Sequence, residues 1–65
     1  MNNKYENDGV EYYLVPQDGS TWIRIEKDGN FIALCMDQES AFQTIYQDIH
    51  NSGGSCGFLT SRDFK

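Results

Sequence analysis

The sequence predicts an α+β fold of order β-β-β-α-β, in which a three-stranded antiparallel meander carries one helix on one face and closes with a short C-terminal strand. Three observations predict it. WIRIEKDGNFIALCM alternates apolar and polar residues on both sides of Asp28-Gly29, a dipeptide typical of two-residue hairpin turns. Val10 to Val15 is a further run of β-formers, ended by Pro16 and the turn-prone Gln17-Asp18-Gly19-Ser20. Finally, Ala41, Phe42, Ile45, Tyr46 and Ile49 recur at helical spacing.

In chain order, the polar stretch 1–9 contains Tyr5 as its only aromatic and reads as a flexible N-terminal arm, with residues 10–65 forming one α+β domain. The first predicted strand is Val10 to Val15, the second Thr21 to Lys27 and the third Asn30 to Met36. With Asp28 and Gly29 as a type I′ turn, Lys27 faces Asn30, Glu26 faces Phe31, Ile25 faces Ile32 and Trp22 faces Cys35. Alternation then places Ile23, Ile25, Ile32, Leu34 and Met36 on the core face, and Trp22, Arg24, Glu26, Phe31, Ala33 and Cys35 on the other. Tyr12 and Tyr13 point to opposite faces. Asp37 is the expected N-cap of a helix over Gln38 to His50, whose apolar stripe covers the isoleucine face. Asn51-Ser52-Gly53-Gly54 stops that helix, and SCGFLTS returns as the short fourth strand before the polar end Arg62-Asp63-Phe64-Lys65.

At 65 residues the chain is near the size where one core barely outweighs chain entropy, which makes a partner or a second copy a natural source of further burial. Ten Asp and Glu against five Lys and Arg give a formal charge of −5. That balance disfavours phosphate backbones and favours basic protein surfaces. No apolar run approaches a membrane span and residues 1–9 lack the apolar centre of a signal peptide, so a cytoplasmic protein is expected, with Cys35 and Cys56 as reduced thiols.

No catalytic, metal or cofactor site is expected. His50 is the only histidine, and Cys35, His50 and Cys56 lack the close-paired spacing of a zinc motif. The glycines of GGSCG follow a helix C-terminus, whose dipole repels anions, whereas a phosphate loop precedes a helix N-terminus. The feature that calls for a role is Trp22, beside Arg24 on a half-polar sheet face, because Trp, Tyr and Arg are the residues enriched at binding hot spots. A single helix covers only one face of a small sheet, which leaves that face for solvent, a partner or a second copy.

VPQDGSTWIRIEKDGN and ESAFQTIYQDIHNSGGSCGFLTSRD together resemble a small bacterial β-β-α-β family of unknown function, whose members read as a Val-Pro start, a tryptophan strand, a glycine turn, an alanine-containing helix and a short closing strand. The resemblance implies a fold and no activity. The Tyr-Tyr, Trp-x-Arg and Asp-Gly elements are also similar to the three-stranded arm-binding domain of tyrosine recombinases, which reads DNA with a basic sheet; here Arg24 and Lys27 stand among acids. As a class, compact acidic chains without catalytic groups resemble phage-encoded inhibitors, anti-CRISPR proteins among them.

The expected function is therefore non-enzymatic: a phage or mobile-element inhibitor, acting in the host cytoplasm, that occupies a basic surface of a defence or nucleic-acid-processing complex. Its expected partner-binding residues are Tyr13, Trp22, Arg24, Glu26 and Phe31 on the open face, with Asp18, Asp37 and Glu39 at an acidic edge. One alternative is a nucleic-acid-associated domain using Arg24, Lys27, Trp22 and Phe31. Another is a nucleotide-sized ligand bound between the two copies of a homodimer.

Overall fold

The computed structural model describes residues 3–65. Its sheet has four antiparallel strands lying in chain order: β1 (Lys4–Asn7), β2 (Val10–Pro16), β3 (Ile23–Lys27) and β4 (Asn30–Cys35). The helix α1 spans Gln38–Asn51, and a short 3-10 turn occupies Ser61–Asp63. The α+β class and the helix on one face agree with the sequence reading, but the extra strand is added at the opposite end of the chain.

Lys4–Asn7, expected within a frayed arm, forms β1; residues 1 and 2 of that arm lie outside the described residues. The cause is a second Asp-Gly hairpin. Asp8 and Gly9 have φ of 52° and 82°, matching the 50° and 87° of Asp28 and Gly29, so both turns take the left-handed pair of conformations that a type I′ turn requires. β1 buries little by itself, with Tyr5 turned toward the core and Lys4 bridging Glu11 at 2.8 Å on the other side. The expected fourth strand over SCGFLTS does not form. Instead the chain returns at its last residue, where the Lys65 N–H donates to the Lys4 carbonyl at 2.7 Å and the Lys4 N–H donates back at 2.9 Å.

The hairpin register holds only next to its turn. Lys27 pairs Asn30 and Glu26 pairs Phe31, as alternation predicts, but Ile25 pairs Ala33, because Ile32 is an extra residue bulged out of β4. Every β4 residue beyond it changes face. Ala33 and the buried Cys35 turn to the core, while Leu34 and Met36, expected inside, are 52% and 57% exposed. Small side chains at 33 and 35 let α1 lie close to the edge strand: Ala41 is fully buried there, and the Cys35 Sγ sits 3.3 Å from the Thr44 hydroxyl.

The core comprises Tyr12, Leu14, Ile25, Cys35, Ala41, Ile45, Ile49 and Phe64. Ile25, Ile45 and Ile49 are the expected members, with Ile23 and Phe42 packed at its margin; Ile32 and Leu34 are not. The Asp37 carboxylate caps α1 by accepting from the Ser40 N–H at 2.8 Å. At the other end Gly53, with φ 86°, closes the helix: Gly54 N–H donates to Ile49 C=O and Gly53 N–H to His50 C=O, a Schellman arrangement. The tail then crosses back over the sheet. Thr60 and Asp63 form a capping box around the 3-10 turn, which aims Phe64 inward against Phe42 and Tyr5, at ring separations of 5.1 and 5.5 Å. Phe64, read from sequence as part of a polar end, is 2% exposed.

One polar cluster latches helix to sheet. Asp48 accepts from the Tyr12 hydroxyl at 2.5 Å and from Lys27 Nζ at 2.9 Å. Burial raises the Tyr12 pKa, and the Asp48 carboxylate raises it further. Burial also pushes Asp48 upward, but the Tyr12 hydroxyl and the Lys27 ammonium together outweigh it and hold its pKa below the ordinary carboxylate range. A depressed carboxylate stabilises the fold above its unfolded pKa, and that stability is lost as pH falls through the folded value. Acidification below about pH 4 is expected to lower the melting temperature. Asp48→Asn is expected to cost about 1–2 kcal/mol at neutral pH and to shrink the difference between melts at neutral and acid pH. An unchanged acid sensitivity in that variant would remove Asp48 from the account.

Candidate interaction surface

Strand alternation and the β4 bulge together build the face opposite α1. Arg24 lies at its centre. The guanidinium carbon sits 4.7 Å above the Phe31 ring centroid, Nε bonds Glu26 at 3.0 Å, and Leu34 is the cross-strand neighbour. Trp22 and Met36 stand one position beyond the Ile23–Cys35 pair, and the Thr21 hydroxyl donates to the Met36 carbonyl at 2.8 Å, which holds the two segments together. Trp22 is 44% exposed and Phe31 53%. A face of Trp, Phe, Leu and Met around an arginine has the composition of an interface centre.

Tyr13, the predicted aromatic companion, does share this face with Glu26, its cross-strand partner. Its hydroxyl donates to Glu11 at 3.1 Å, so half-buried Tyr13 belongs to a polar flank with Lys4. Lys4 and the Tyr13 hydroxyl hold the Glu11 pKa low, and Glu11 holds the Lys4 pKa high. The face thus grades from apolar at β4 to charged at β1.

The acidic edge is looser than the sheet face. Asp18 is exposed in the β2–β3 turn and Glu39 in the first turn of α1, while Asp37 is engaged in capping, its pKa lowered chiefly by the Ser40 backbone N–H. Asp18 and Asp37 lie at the same end of the sheet. Of three exposed residues on the β4 side that the sequence reading put on the core face, Ile32, Leu34 and Met36, the last two join this face. The signal for them was present in the small residues Ala33 and Cys35, which suit the underside of a helix better than an open face.

His50 Nε2 lies 3.2 Å from the Cys56 carbonyl oxygen, with its ring against Tyr46. Burial, and then the Asp63 charge, raise the Cys56 pKa, which favours the unreactive thiol. Both cysteines are free. Among the described residues no group of three His, Cys, Asp or Glu is placed to hold a metal ion, and no helix is long and apolar enough to cross a membrane. A half-open groove of about 860 Å³ follows α1, bordered by Ile32, Thr44, Tyr46 and Phe58. Phe58 stacks on Tyr46 at 5.3 Å and is 87% exposed.

Comparison with protein-family models, curated proteins and solved structures finds no match to this chain.

Proposed function

We propose that this protein is a non-enzymatic interaction module that docks the β4 side of its open sheet face on a larger protein with a basic surface. The observation that carries this reading is the exposed cluster of Trp22, Phe31, Leu34 and Met36 around Arg24. Aromatic and Met side chains supply area, with the Arg24 guanidinium held on Phe31 and paired to Glu26, while the net charge of −5 steers the approach to Lys and Arg. Occupying a surface that otherwise meets nucleic acid inhibits by exclusion, the mode proposed for a phage or mobile-element inhibitor of a host complex. Direct nucleic-acid binding is the weaker reading, since Arg24 is paired with Glu26, Lys27 with Asp48 and Lys4 with Glu11.

Tagged protein and its Trp22→Ala variant, used side by side to capture partners from a bacterial lysate, test this. A protein retained by the parent and lost by the variant is the expected result, with a loss of about 2 kcal/mol or more in affinity once that protein is isolated. Trp22 is the only tryptophan, so its emission reports directly. It should be long-wavelength and quenchable by acrylamide in the free protein, and shift to shorter wavelength on binding. Capture that is indifferent to Trp22 would overturn the reading.

A further inference from the structure

The two edges of the sheet are not equivalent. On the outer side of β1 the Lys65 backbone exchanges bonds with Lys4, and Asn3 N–H also donates to Lys65 C=O, at 3.2 Å. β4 forms the other edge, and among the described residues its strand pairing is with β3 alone. Exposed edges are normally guarded by lysine, proline, inward-pointing charge, a bulge or a covering element. β4 reads NFIALC, without a charge or a proline, so the bulge at Ile32 is the guard it carries, and regular pairing is open only to either side of it.

We infer that the free edge of β4 accepts a short extended segment of a basic partner as a fifth, antiparallel strand. The inference rests on the proposed function and names how the partner is held. Side chains of an added strand alternate between two surroundings. One set meets Phe31 and Leu34 on the open face; the other enters the groove beside Ile32 and Thr44, whose helix wall is uncharged at Ser40 and Gln47 and carries the acids Glu39 and Asp48. Both sides accept apolar or small polar residues. The ends of the edge are acidic, with Asp28 at the hairpin turn and Asp37 and Glu39 where α1 begins. A segment with Lys or Arg at both ends matches that pattern. A second copy of this chain does not, because antiparallel pairing of two β4 strands brings Asp28 of each toward Asp37 of the other, between molecules that each carry −5. The bulge limits the length of regular pairing, so the segment is short and most of the affinity must come from the adjoining face.

A synthetic peptide of alternating valine and threonine with paired lysines at each end tests the edge, read by backbone amide shifts and hydrogen exchange. Saturable shifts centred on β4, with slowed exchange at its amides, are expected. The same peptide N-methylated at every central amide should not bind, since neither of its edges then keeps ladder donors. Asp28→Asn and Asp37→Asn keep the turn and the helix cap, and each should weaken binding about two- to fivefold. Three results would each overturn the inference: no β4 shifts at millimolar peptide, undiminished binding of the N-methylated form, or β4 shifts that follow protein concentration without peptide, which would assign the edge to self-association. The outcome separates from that of the proposed function. Loss of Trp22-dependent capture with β4 pairing intact overturns the face reading alone, and Trp22-dependent capture with an inert β4 overturns the edge alone.

Discussion

Phe64→Ala is expected to destabilise the fold by about 3–5 kcal/mol, read as a lowered denaturation midpoint with a similar slope. A chain of this size has of order 3–10 kcal/mol to lose, so the variant should be substantially unfolded at ambient temperature. Phe64 is among the largest fully buried side chains and fills the core between Phe42 of α1 and Tyr5 of β1, joining the two ends of the chain. Its loss leaves a cavity that the short tail cannot close, and it loosens the adjoining Lys65 pairing along β1. Phe64→Leu should recover much of the loss by refilling the volume. A Phe64→Ala variant that melts like the parent would place the tail outside the core.

Ile25→Ala and Leu34→Ala are expected to differ sharply, and their contrast tests the bulge. Ile25 is fully buried, so its truncation should cost about 2–5 kcal/mol. Leu34 is half exposed on the open face, and Leu34→Ala should change stability by no more than about 0.5 kcal/mol. A regular hairpin without the bulge would put both residues in the core and make both substitutions severe. Equal losses in the two variants would therefore restore the unbulged register and remove Leu34 from the interaction face.

Much of the architecture was legible from local chemistry. Asp28-Gly29 specifies its turn because both positions need positive φ, and the Asp37 cap and the Gly53 stop bound the helix for equally local reasons. Arg24, Glu26 and Phe31 share the open face as alternation predicts, since none of them is reached by crossing the bulge, and Trp22, just before β3, is exposed. Asp8-Gly9 carried the same turn signal as Asp28-Gly29, but its flanking residues are polar, and polarity alone made β1 read as an arm.

What the sequence by itself determined was the set of elements whose causes lie within a few residues: the central hairpin, the helix with its caps, and the alternation that exposes Trp22 beside Arg24. Tertiary structure decided the rest. Whether Leu34 or Cys35 faces the core depends on how closely α1 approaches β4, and one bulged residue, Ile32, settles that for the whole end of the strand. Whether Phe64 is a polar tail or a core residue depends on the part of the sheet's inner face that the helix leaves uncovered, a vacancy that exists only once sheet and helix are docked. Burial of that kind is a property of distant surfaces brought together, and no window of neighbouring residues contains it.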